Sequence, residues 1–152
     1  MSLLIRIQED TRKALKNRQE PDLSILRLLQ ADIKNKEIEK GRRQLTEEEI
    51  FKLISTQIKK LKESLVLFEK GKRPDLVTQT GAEIKVLNSY LPRQLSDEEL
   101  EKEVGKIIIE NPKVTNPGAL IGICIKNLSG RADNQRIAES VKKIRKLQSS
   151  PA

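Results

Sequence analysis

Histidine and tryptophan are absent from these 152 residues, and cysteine occurs once, at position 124. Without histidine no Ser-His-Asp or Cys-His nucleophilic system can form, and the common zinc sites lose their usual nitrogen ligand. A single thiol closes no intramolecular disulfide, which points to a thiol-tolerant, cytoplasmic setting. Cys124 lies in the apolar run LIGICIKNL with no base to activate it, so it reads as a buried structural thiol. Aromatic side chains are nearly missing too: Phe51, Phe68 and Tyr90 are the whole set. That removes the stacking platforms of single-strand binders and leaves backbone and shape as the means of any RNA contact. No run approaches the ~20 apolar residues of a membrane span. The start MSLLIRIQEDTRKAL mixes charge into its apolar residues within one turn, unlike a secretory signal. Neither a P-loop nor a dinucleotide fingerprint is present, because GRADNQ has neither the glycine spacing nor a preceding strand. The expectation is a chain with no cofactor, no metal and no membrane partner.

What is present is aliphatic and ionic: 36% of residues are hydrophobic and 34% charged. That balance suits amphipathic helices around a Leu/Ile/Val core. The net charge of +8 favours an anionic partner, and its distribution is uneven. Residues 94–125 carry 3 basic and 6 acidic side chains, whereas residues 126–152 carry 7 basic and 2 acidic. An acidic helix therefore precedes a distinctly basic final one.

Helix starts and stops are well marked. Ser2 precedes a first amphipathic helix with Leu4, Ile7, Ala14 and Leu15 on one face, ending near Asn17. A second begins at Pro21 and Asp22, with the proline in the first turn, and Gly41 ends it. In QLTEEEI, Thr46 and Glu49 make a capping box while Leu45 and Ile50 make a hydrophobic staple. Apolar residues from Ile50 to Phe68 then recur at steps of three and four, with Gly71 as the stop. Pro74 and Asp75 open a fourth helix that Pro92 forbids beyond Leu91. QLSDEEL repeats the box and the staple with Ser96, Glu99, Leu95 and Leu100. Asn116 caps a sixth helix, Gly130 closes it in the left-handed conformation, and Asp133 caps a seventh with Ile137, Val141 and Ile144 as its buried stripe. The fold class is all-α. The break at YLPRQLS predicts a four-helix N-terminal domain over 1–93, a three-helix domain over 94–148 and a flexible tail at 149–152.

The charged clusters have bland explanations that come first. Glu47 to Glu49 and Asp97 to Glu101 belong in the first turns of helices, where acids meet the positive end of the dipole. Lys34, Lys36, Lys40, Arg42 and Arg43 suit a helix C-terminus for the mirror-image reason. At the turn NLSGRADNQ, Asp133 occupies the free N–H groups of its helix and repels an incoming anion, so no phosphate cradle forms there. Its neighbours differ. Lys126, Arg131, Arg136, Lys142, Lys143, Arg145 and Lys146 form a basic surface suited to a nucleic-acid backbone.

The segments MSLLIRIQED, KESLVLFEKGKRPDLV, EIKVLNSYLPRQLSDEEL and SGRADNQRIAESVKKI together resemble the YqeY-like (GatB/YqeY) family over nearly the whole chain. The resemblance implies two helical domains, the second similar to the tail of the B subunit of the bacterial glutamyl/aspartyl-tRNA amidotransferase. It brings a family label of carbon–nitrogen ligase with glutamine as amide donor. In that enzyme the tail contributes to tRNA recognition, and the activating and glutamine-hydrolysing parts lie elsewhere. The resemblance thus implies a tRNA-associated accessory module, with tRNA or a structured RNA and a protein of tRNA aminoacylation or amidation as partners. No residue here is assigned to catalysis. The alternative is an assembly module in which the Ile50 to Phe68 helix and its hairpin dock an enzyme subunit.

Overall fold

The computed structural model describes residues 2–149, of which residues 148 and 149 only by their backbone. The tail expected at 149–152 therefore falls, after Ser149, outside the described residues. Among those described, the chain forms seven helices and no strand: α1 (Leu3–Asn17), α2 (Asp22–Glu39), α3 (Glu47–Lys70), α4 (Pro74–Asn88), α5 (Asp97–Glu110), α6 (Pro117–Asn127) and α7 (Asn134–Ser149). They gather into two compact units, Met1–Leu91 and Pro92–Ala152. None of the described helices is long and apolar enough to cross a membrane.

The first unit is built on the α3–α4 hairpin, with α1 and α2 packed against it. Its core is aliphatic: Ile7, Leu29, Ile33, Ile50, Ile54 and Leu87 are almost fully buried. Tyr90 is the aromatic member. Its hydroxyl donates to Asp10 Oδ2 at 2.6 Å, and the Arg6 guanidinium lies 4.9 Å from its ring centre. Burial, and then the Asp10 carboxylate, push this phenol well above its ordinary range. The cluster fixes the start of α1 to the end of α4, since Arg6 also donates to the Ser89 carbonyl. Leu15, expected on the buried face of α1, is instead 52% exposed, while Ala14 beside it is buried.

Both capping boxes form. The Glu49 amide donates to Thr46 Oγ1 and the Thr46 amide donates back to Glu49 Oε2; Ser96 and Glu99 do the same at α5. Two helix ends differ from expectation. Pro21 stands at the cap of α2 after a cis peptide bond, with Asp22 as the first helical residue, and Glu20 caps by accepting from the Ser24 amide. Gly71 has φ −79°, and the left-handed residue that closes α3 is Lys72, at φ 54°. The Arg73 amide then reaches the Phe68 carbonyl at 3.0 Å, the reach-back bond of this helix-stop motif.

The second unit packs α5 and α6 against α7. Leu100, Val104, Leu120, Cys124, Leu128, Ile137 and Val141 form its core. Cys124 is fully buried, and burial pushes its thiol above the ordinary range, which makes it a packing residue.

Candidate nucleic-acid interface

The basic surface rests on a joint between two distant pieces of sequence, residues 93–97 and the turn 129–133. Gly130 takes φ 75°, which turns the chain after α6, and the Gln135 amide donates to Asp133 Oδ1 at 2.7 Å to start α7. The turned backbone offers its carbonyls to the segment before α5. Gln94 Nε2 donates to the Gly130 carbonyl at 2.6 Å, and the Leu95 amide donates to the Arg131 carbonyl at 2.8 Å. Arg136 closes the joint from α7, donating to the Leu95 carbonyl at 2.9 Å and to Asp97 Oδ1 at 2.8 Å. On the other side of Leu95, Arg93 pairs with Glu99. The Arg93 guanidinium, and then the Ser96 amide and hydroxyl, hold the Glu99 carboxyl at about 2. The motifs RQLS and GRAD are thus two halves of one structural feature.

The seven cations expected to form one surface do not all play the same part. Arg136, Lys143 and Arg145 are spent within the unit. Lys143 pairs with Glu101 at 2.5 Å, which raises its pKa, and Arg145 donates to the Thr115 carbonyl at 2.8 Å. They lie along the two flanks of the Ile137, Val141 and Ile144 stripe and stitch α7 to the start of α5 and to the loop before α6. Lys126, Lys142 and Lys146 are exposed on the last turn of α6 and on α7, and Arg131 is half-buried in the turn. On α7, Lys142 and Lys146 share a face with Gln135 and Glu139, opposite the buried stripe. The arrangement offers ammonium groups to a polyanion without a pocket to enclose one.

An open groove of about 260 Å³ does run between the start of α5 and α7, lined by Asp97, Leu100, Glu101, Arg136, Glu139, Ser140 and Lys143. Its two cations are taken up in the Arg136–Asp97 and Lys143–Glu101 pairs and Glu139 adds a third carboxylate, so the groove has no positive excess suited to a phosphate. Among the described residues no group of three or more carboxylate or thiol side chains comes together to hold a metal. Reasoning from sequence missed Gln94 and Arg93 as parts of this joint. The signal was available: RQL precedes a capping box at both 43–45 and 93–95.

The family model for Yqey-like proteins matches residues 4–144. The chain belongs to the YqeY-like family. A protein of Pyrenophora tritici-repentis named "altered inheritance of mitochondria protein 41, mitochondrial" is 27% identical over 148 residues, spanning 93% of this chain and 80% of that protein. Proteins of the same name from Lachancea thermotolerans and Kluyveromyces lactis are 29% and 31% identical, spanning 83% and 84% of this YqeY-like chain and 68% and 67% of their own length. These relatives overturn the cytoplasmic reading, since each carries "mitochondrial" in its name. The features behind that reading were a lone buried thiol and the absence of long apolar runs. Such features report redox tolerance and hydropathy, and they are blind to which thiol-tolerant compartment holds the chain.

Proposed function

We propose that this chain is a non-catalytic accessory module that binds tRNA, or another structured RNA, by its phosphate backbone through the exposed cations of α7 and the end of α6. One observation carries the reading: the basic surplus of residues 126–152 outlasts internal pairing. After Arg136, Lys143 and Arg145 are bonded within the unit, Lys126, Arg131 and Lys142 have no anionic partner among the described residues. Resemblance to the tail of a tRNA amidotransferase subunit supports RNA as the polyanion. The amidotransferase label remains a label: the chain has no histidine to serve as general base, its one thiol, Cys124, is buried in the core, and no residue is assigned to amide transfer. Purified protein given ATP and glutamine is expected to transfer no amide nitrogen.

The test is a tRNA titration at several salt concentrations. Joint replacement of Lys126 and Lys142 by Ala is expected to weaken binding to all tRNAs alike. It should also flatten the salt dependence by roughly one unit of log–log slope for each phosphate that these lysines neutralise. Unchanged binding in that double variant removes the surface, and absence of binding by the wild-type chain at low salt ends the proposal. Arg136 and Lys143 are poor probes, because their loss loosens α7 as well as the charge. A second reading, docking to a protein, draws on a different surface, the far end of the α3–α4 hairpin.

A further inference from the structure

The α3–α4 hairpin is longer than the core it serves. Buried core positions on α3 end at Ile58, and Leu61 packs on the edge of the core. Beyond that point Leu65 and Phe68 are only half-buried, as are Leu76 and Val77 on α4, and none of the four belongs to the core cluster. Val66 and Leu67 are exposed, at 48% and 68%. Two antiparallel helices bury one seam between them and leave each helix open along its flanks, whereas the second unit closes the same geometry with a third helix. The distal hairpin has the apolar side chains for a three-helix packing and lacks the third helix.

Its charge says what that helix should be. Residues 59–73 carry six cations and two anions, Glu63 and Glu69. Arg73 is paired with Asp75, but Lys60, Lys62, Lys70 and Lys72 are exposed and make no ion pair among the described residues. Half-covered aliphatic side chains framed by unpaired lysines complement a helix with a leucine-like stripe flanked by carboxylates. A nucleic-acid backbone would use the lysines and gain nothing from Leu65, Val66, Leu67 and Phe68. We infer that the distal α3–α4 hairpin docks an acidic amphipathic helix of a partner protein. This surface is independent of the RNA reading, which uses α6 and α7.

Isotope-labelled full-length protein is titrated with a designed peptide of about 15 residues, long enough to hold a helix, carrying leucines at three- and four-residue steps between glutamates. A second peptide keeps the leucines and replaces every glutamate with lysine. The acidic peptide is expected to shift backbone amide signals of residues 61–80, with affinity falling as salt rises. Leu67→Asp, and separately Lys62→Glu with Lys70→Glu, are expected to weaken it by about tenfold or more. These side chains are exposed, so the remaining amide signals report that the fold is kept. The inference is overturned if the acidic peptide leaves residues 61–80 unmoved, if the lysine peptide binds as well, or if the variants bind the acidic peptide like wild type. It is equally overturned if structured RNA or anionic phospholipid vesicles shift those amides while the acidic peptide does not.

Discussion

Helices α3 and α5 begin with nearly the same eight residues, RQLTEEEI at 43–50 and RQLSDEEL at 93–100. In both, the hydroxyl caps, the third acid of the first turn, Glu49 or Glu99, reaches back to the cap amide, an arginine six residues earlier pairs with that glutamate, and the flanking Leu45 and Ile50, or Leu95 and Leu100, are buried. The surroundings differ. At α3 a second cation, Lys40, also pairs with Glu49, at 2.6 Å, so the device is completed by the preceding helix. At α5 the Leu95 amide donates to the Arg131 carbonyl, the Leu95 carbonyl accepts from Arg136 and the Gln94 side chain donates to the Gly130 carbonyl, so the same device becomes the attachment point of a distant turn. Identical local chemistry produces identical local structure, and tertiary context decides what is built upon it.

Removing the staple side chains tests this most severely. Ile50→Ala and Leu100→Ala each delete a 2% exposed core residue, which costs about 2–5 kcal/mol. The smaller three-helix unit has less buried surface in reserve, so Leu100→Ala is expected to abolish slow amide exchange in α5, α6 and α7. Ile50→Ala is expected to weaken protection in α2, α3 and α4 without removing it. Equal damage by the two would show that the two helix starts are supported alike.

Arg136 marks the asymmetry directly, because no side chain plays its part at α3. Arg136→Ala breaks bonds to a carbonyl and to a carboxylate and is expected to cost about 1–2 kcal/mol, measured by chemical denaturation. Arg136→Lys is expected to recover only part of that loss, since one ammonium cannot easily keep both bonds. Full stability in the alanine variant would mean that the GRAD turn holds residues 93–97 through the Gln94 side chain and the Leu95 amide alone.

The helix starts were legible from sequence because a cap and its target amide lie two or three residues apart. Thr46, Ser96, Asn116 and Asp133 all cap as the local pattern implies. Family resemblance and the all-α class were legible for the same reason, since both rest on local pattern. Lys72 was missed because a glycine beside it is the better left-handed residue by every intrinsic measure, yet the observed turn puts Gly71 at ordinary φ. The fate of the seven cations was not legible at all. Arg136 meets Asp97 across 39 residues, Lys143 meets Glu101 across 42 and Arg145 meets Thr115 across 30. Sequence reports a basic helix; only packing divides its charges into those used within the fold and those left for a partner.

Smaller effects should be shared by the two helix starts. Thr46→Ala and Ser96→Ala each remove a cap and are expected to cost about 1 kcal/mol in urea denaturation. The glutamates add a dependence on pH. Both carboxyls sit at about 2 in the folded chain against an ordinary 4.5, held down chiefly by Arg43 at one start and Arg93 at the other. Since the folded value is the depressed one, the stabilisation is fully present above the ordinary range and is lost as pH falls through about 2. Replacing Glu49 and Glu99 together by Gln is expected to flatten acid unfolding over that window. High salt should flatten it too, because both sites are open to solvent.

The smallest effect comes from a pair of misfits, one in each unit. Gln57 Oε1 and Ser140 Oγ are buried side-chain atoms without a hydrogen-bond partner. Gln57 still donates through its nitrogen to Asp32, so Gln57→Leu removes a real bond while relieving an unmet acceptor. Asp32 is half-buried and keeps access to water, so the net cost should stay below about 1 kcal/mol. Ser140 has no such bond to lose. Ser140→Ala removes an unsatisfied hydroxyl and installs a better helix former, so its stability should lie within about 0.5 kcal/mol of wild type or above it. A loss greater than about 1 kcal/mol would mean that the hydroxyl is satisfied in solution by an ordered water reached from the adjoining α5–α7 groove.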